Sequence, residues 1–286
     1  MMRAVGTSFL LSVMAGALAV LSCQPKEHRE APQTSAQAGY LGFDRNIFPG
    51  ASALPMLRKT FAFAGYWLSP PPGEPTNTWV GQREPLRALG FGFLLLYRAP
   101  LESELTSTSA AKEKGAQDAR SATAAAKREG FPTRAIIFAD IEEGGRLSDR
   151  YHAYLSAWTK QIAQAGYRAG AYCSAIPAKE EPNTTITTAD DIRAHLGAQD
   201  FSYFIYNDTC PPAPGCAFPA APPTPAIGGT SFAAIWQFVR SPRTEFSAHC
   251  PPGYHTDGNC YAPGDSAHTW FLDVSSASSA DPSSGR

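Results

Sequence analysis

The feature that most constrains this chain is a succession of short apolar runs, each bounded by glycine or proline, with helical periodicity between the early ones. Eight runs read as strands: Tyr40 to Asp44, Phe61 to Tyr66, Phe91 to Tyr97, Arg134 to Asp140, Arg168 to Cys173, Tyr203 to Tyr206, Ala233 to Phe238 and Trp270 to Val274. Near-continuous apolar runs of this length suit parallel strands covered on both faces. Between them, residues 110–129 form an Ala-rich helical stretch. In residues 148–165, Tyr151, Tyr154, Leu155, Trp158 and Ile162 share one helical face, and Gly166 supplies a stop. Thr188 is expected to cap a shorter helix carrying Ile192 and Leu196. Strand and helix alternate until the sixth strand, after which the connections are Pro-rich and bear cysteines. The expected fold is therefore α/β: a modified (β/α)8 TIM barrel of eight strands and about five major helices, its last strands joined by disulfide-bearing loops.

The ends of the chain read differently. Arg3 is the only charge before an apolar stretch from Phe9 to Leu21, which is shorter than the ~20 residues of a membrane span and fits a signal peptide. It closes in Val20-Leu21-Ser22-Cys23, which resembles a bacterial lipobox with Cys23 as the lipidated residue. An ordinary secretory signal with an incidental cysteine is the alternative. Residues 1–23 are thus expected to be a signal segment, 24–38 a polar disordered tether, 39–276 the barrel and 277–286 a disordered tail. Export and a lipid anchor follow, and Gln24 in place of Asp points to the outer membrane of a Gram-negative host. A monomer is expected. The formal net charge is −1 with no basic block, which argues against nucleic acid as a partner.

Export makes disulfides possible. Cys210 and Cys216 bracket one short loop and Cys250 and Cys260 another, so local pairing within each is the simplest proposal. Cys173 then remains as a core residue. A zinc site from His249, Cys250, His255 and Cys260 lacks the close Cys-x-x-Cys pair of structural sites, and no metal or other cofactor is expected.

Asp140-Ile141-Glu142 closes the fourth strand. Residues two apart on a strand point the same way, so both carboxylates should face the axis at the C-terminal mouth, where barrel sites are built. Asp44 ends the first strand and Asp273 lies near the end of the eighth, its neighbour in a closed barrel. Crowding should raise at least one of these pKa values, leaving one carboxyl protonated and one ionised, the division of labour that glycosidic cleavage needs. Taken singly, Asp44 suits a helix cap, Asp273 a solvated chain end, and any Asp-x-Glu a surface turn. Aromatic and amide groups, Trp67 among them, gather near the strand ends, and Tyr66, Tyr97, Tyr172, Tyr206, Asn207, Trp236 and Gln237 are the expected sugar contacts, with core packing the alternative for each aromatic. Gln237 sits between Trp236 and Phe238 in an apolar strand, and a buried amide there needs partners.

The segments Gly42-Phe43-Asp44, Asp140-Ile141-Glu142, Trp236-Gln237-Phe238 and Leu272-Asp273-Val274, in this order, resemble glycoside hydrolase family 25, the lysozyme-type muramidases. With Pro49 and the helical Asp118-Ala119, the chain is more similar to an exported bacterial glycoside-hydrolase-like domain family related to them, over about residues 39 to 276. The resemblance implies a barrel with helices mainly around its first five strands. It implies Glu142 as general acid and Asp140 as ionised partner, acting as nucleophile or by assisting a substrate acetamido group, with Asp44 and Asp273 tuning them. The fifth strand departs from the muramidase pattern at Tyr172-Cys173-Ser174, and Tyr206-Asn207-Asp208 precedes an insertion. The expected function is hydrolysis of glycosidic bonds in peptidoglycan or another envelope polysaccharide. A barrel that binds glycan without cleaving it is the alternative. A carboxylate metal site ranks last, since no His-x-x-x-His pair is present.

Overall fold

The computed structural model describes residues 39–197, 200–207, 221–240 and 260–286. Ten strands and five α-helices occur among them, in the order β1 (Tyr40–Asp44), α1 (Leu54–Leu57), β2 (Phe63–Trp67), α2 (Arg83–Ala88), β3 (Gly92–Arg98), α3 (Thr108–Arg128), β4 (Ile136–Asp140), α4 (Asp149–Gln164), β5 (Arg168–Ser174), β6 (Ala178–Glu181), β7 (Thr184–Ile186), α5 (Thr188–Leu196), β8 (Phe201–Tyr206), β9 (Ile235–Val239) and β10 (Asp273–Ala277). Eight of the strands close into a barrel in the order β1-β10-β9-β8-β5-β4-β3-β2. Strands β2, β4 and β9 are buried at every residue, because helices or loops cover their outer faces while inward side chains fill the barrel. The hairpin β6–β7, absent from the expected order, stands outside the barrel.

The eighth barrel strand departs most from expectation. It starts at Asp273 rather than near Trp270, and it runs antiparallel to both β1 and β9. Asp273 is therefore the first residue of its strand, and the reversed direction is what brings it level with Asp44 at the mouth. The reversal also sends the C-terminal segment out at the opposite, lower end. That segment, expected to fray, instead crosses beneath the barrel and wedges between β3 and β4. Ser283 N–H donates to the Phe93 carbonyl at 2.9 Å and the Ile136 N–H donates to the Ser283 carbonyl at 2.8 Å. Ser283 Oγ accepts from Leu95 N–H and Asp281 Oδ1 from Phe93 N–H. Ladder pairing between β3 and β4 begins only at Leu95, so the tail satisfies backbone groups that β4 does not reach. Gly92 permits the crossing: a Cβ there would lie 1.9 Å from the Ala280 carbonyl oxygen.

The two long helices pack on each other and on the barrel through the face read from the sequence: Tyr151, Tyr154, Leu155, Trp158 and Ile162 of α4 are all buried. Ser107 and Ser148 cap α3 and α4 through their hydroxyls. The cap of α5 is Thr187, one residue earlier than expected, and the Thr188 hydroxyl donates to the Glu143 carbonyl instead. Asp118 of α3 is buried and accepts from Lys114 Nζ, Tyr97 Oη and Tyr154 Oη, tying α3 to α4 and β3. Cys173 is a buried core residue, and burial pushes its thiol well above the usual range. Cys260 is buried. Cys23, Cys210, Cys216 and Cys250, with the signal segment, the tether, His249 and His255, lie outside the described residues. No helix among the described residues is long and apolar enough to cross a membrane.

Candidate active site

At the C-terminal mouth of the barrel lies a cavity of about 350 Å³. Asp44, Asp140, Glu142 and Asp273 all line it, together with Tyr172, Gln237, Trp67, Leu96, Phe204 and Phe271. The inward-facing set follows from strand pairing, because residues in register across a sheet share a face. Asp140 pairs with Tyr172, Tyr172 with Phe204, and Tyr206 with Gln237. On the other side Trp67 pairs with Leu96, and Asp44 with Asp273. Gly65 makes room for the carboxylate of β1, since a Cβ there would lie 2.3 Å from the Asp44 Cβ.

Asp140 and Asp44 are almost completely buried, 5% and 6% exposed, whereas Glu142 lies two residues beyond Asp140 and is exposed. Burial pushes the Asp140 pKa well above the carboxylate range, and the negative charges of Glu142 and Asp44 add to it. A hydrogen bond between the Asp140 and Glu142 side chains acts in the same direction, and the Arg98 charge opposes it. Asp140 Oδ2 is sealed from solvent without a hydrogen-bond partner among the described residues. Asp44 is raised to about 7, chiefly by burial and partly by the charge of Glu142, against the lowering effect of a hydrogen bond from Gln237. The expected crowding is thus expressed at Asp140 and Asp44. Asp140, the expected ionised partner, is instead shifted toward its protonated form.

Gln237 joins the two walls. Its Nε2 donates to Asp44 Oδ2 at 3.2 Å and its Oε1 accepts from Tyr172 Oη at 2.7 Å. The amide therefore has a partner on each side, and its donor end fixes the orientation of Asp44.

Five expected sugar contacts do not line the cavity. Tyr66 and Tyr97 have the wrong parity on β2 and β3. Tyr66 packs outside the barrel against Phe93, Phe131 and Trp79 and donates to Glu129, while Tyr97 reaches Asp118 and packs on Trp158. Trp236 also faces outward, its Nε1 donating to the Asn207 carbonyl and its ring seated against Gly228. Asn207 sits beside Gly229, and Tyr206 packs behind Tyr172 under the Arg240 guanidinium. Trp67, one of the aromatics noted near the strand ends, does line the cavity, and Leu96, Phe204, Phe271 and Arg45 are among the lining residues not foreseen as contacts. Carrying the parity of Asp140 across aligned strand ends would have selected Trp67 over Tyr66. Nothing local marks Phe271 or Arg45, which enter through the β1–β10 pairing.

A closed eight-stranded barrel with five acids, Glu74 among them, lining the cavity at its mouth defines a protein of the glycoside hydrolase-like class. Residues 67–209, half of the chain, match the family described as Rv2525c-like, glycoside hydrolase-like domain, and the chain belongs to that family. The match includes Asp140, Glu142 and Tyr172, and leaves Asp44, Gln237 and Asp273 outside it. Among solved structures, an uncharacterized B. stearothermophilus protein is 21% identical, over 84% of this chain and 96% of that one, with a TM-score of 0.52. The Mycobacterium tuberculosis Tat-secreted protein Rv2525c, in complex with L-tartrate, is 17% identical over 85% and 96% at a TM-score of 0.49. The Clostridium perfringens spore cortex lytic enzyme SleM is 13% identical over 84% and 67% at 0.46. No curated protein matches the chain.

Proposed function

We propose that this protein hydrolyses glycosidic bonds in peptidoglycan or another polysaccharide of the cell envelope. The observation that carries the reading is the Asp140–Glu142 pair at the barrel mouth, lining one cavity with Asp44 and Asp273. Burial and the charge of Glu142 favour a protonated Asp140, which gives the pair a proton to donate. Glu142, the exposed member, is placed to pass that proton to the leaving oxygen of a bound glycan. The pair is then left with the negative charge, close to where positive charge develops on the sugar ring. Asp44, oriented by Gln237, and Asp273 on the facing wall would orient the substrate or the attacking water. Membership of a glycoside hydrolase-like family supports the reaction class. The N-terminal sequence supports export and anchoring through Cys23, ahead of a tether and a monomeric barrel.

The test is release of reducing ends from purified peptidoglycan and a panel of bacterial polysaccharides by the full chain. Glu142→Gln should reduce release at least 100-fold with an unchanged thermal melt. Activity retained in that variant overturns the assignment. Sedimentation with a glycan and no release by the parent would replace the hydrolase with a binding barrel.

A further inference from the structure

Asp44 and Asp273 pair across antiparallel strands, so the chain leaving β1 and the chain entering β10 run side by side at the rim. That wall presents Arg45, Ile47 and Phe271 to the cavity. Ile47 is 45% exposed and Phe271 46% exposed, an apolar pair beside a nest of carboxylates. Arg45 carries the only positive charge among the described lining residues. Its Nη1 is sealed from solvent without a hydrogen-bond partner, and it makes no salt bridge among the described residues. Asp265 supports its charge from nearby, but both Asp265 oxygens already accept from the Thr269 and Trp270 N–H groups. Arg45 is thus a half-buried cation that no carboxylate among the described residues engages in a salt bridge. A guanidinium stays charged at any working pH, so its desolvation favours an anion bound beside it.

We propose that this wall is a subsite for a saccharide unit carrying a carboxylate, with the Arg45 guanidinium holding the carboxylate and the Phe271 ring packing on the apolar face of the sugar. The inference rests on the hydrolase reading for the adjacent carboxylates and names the substrate class as an acidic glycan. Whichever acids of the mouth are ionised repel a carboxylate placed among them. Arg45 therefore sets the register of the glycan by drawing its charged unit to the wall of the cavity that carries Arg45 and Phe271. Recognition of this kind is specific, because a neutral analogue leaves the guanidinium buried and unmatched.

The experiment measures equilibrium binding to the full chain carrying Glu142→Gln, which keeps any ligand intact. The probes are a disaccharide with the lactyl carboxylate of N-acetylmuramic acid, a glucuronate-containing disaccharide, and the carboxyl-reduced form of each. We expect each acidic form that fits to bind about ten-fold more tightly than its reduced form. Arg45→Gln should abolish that preference by weakening only the acidic form. Arg45→Lys should restore part of it, which separates loss of charge from loss of fold. Phe271→Ala should weaken acidic and reduced forms alike. The muramyl and glucuronate arms tell which acidic sugar is taken. Equal binding of acidic and reduced forms, no binding of either, or a preference that survives Arg45→Gln overturns the proposal. A preference present in a protein that releases no reducing ends overturns the hydrolase reading and leaves the subsite standing.

Discussion

At Asp44 two influences oppose each other: burial and the charge of Glu142 push its pKa up to about 7, while the Gln237 amide pulls it back. The unfolded chain releases that proton near the ordinary carboxyl value of ~3.9, so between there and pH 7 the folded protein holds a proton that the unfolded one has lost. Stability should therefore fall as pH rises through this window and level off above it, and Asp140 shifts in the same direction. Asp44→Asn keeps an acceptor for Gln237 and removes the charge. We expect the variant to match the parent near pH 4 and to melt several degrees higher at pH 8, measured by thermal denaturation across a pH series. A variant that loses stability equally at both pH values would show that burial of the Asp44 charge is not what costs the parent stability. The acidic pair itself was legible at this scale, since Asp140 and Glu142 share a face through strand periodicity alone. Tyr66 and Tyr97 were misread for the complementary reason: proximity to a strand end does not set parity, and Trp67 and Leu96 hold the inward positions.

Among the elements, α3 and α4 show a conflict between local preference and packing. Gly115 sits inside α3, where alanine is favoured by about 1 kcal/mol. A Cβ at that position would lie 2.2 Å from the Tyr154 carbonyl oxygen of α4, a backbone atom that cannot swing aside. Gly115→Ala should therefore destabilise the fold, by on the order of 1–2 kcal/mol net, with urea denaturation as the readout. A stabilised variant would mean that the helices separate at little cost. The helical stripe of α4 and its glycine stop were readable because a helix buries one face at a fixed period. The α5 cap shifted by one residue since two adjacent threonines offer the same hydroxyl, and the Glu143 carbonyl engages the second. The outlying β6–β7 hairpin is short and mostly polar, with no apolar run to announce it.

Closure of the whole molecule depends on a strand and a tail that meet partners far along the chain. Removing residues 278–286 takes away the Ser283 bridge between β3 and β4 and the Asp281 and Ser283 side-chain acceptors. At about 1 kcal/mol for each net hydrogen bond, the truncated chain should lose at least 3 kcal/mol in chemical denaturation. An unchanged midpoint would show that the plug contributes nothing to the barrel. By itself the sequence determined the number of barrel strands, the placement of the first seven, the amphipathic face of α4 and the common facing of Asp140 and Glu142. Each of these is set within a few residues, by apolar periodicity and by backbone sterics. The tertiary structure alone decided that β10 runs backwards, that the tail seals the lower end, and that Arg45 and Phe271 share a wall. Those outcomes follow from hydrogen-bond partners and steric neighbours that are distant in sequence, and a strand carries no local mark of the direction its partners will take.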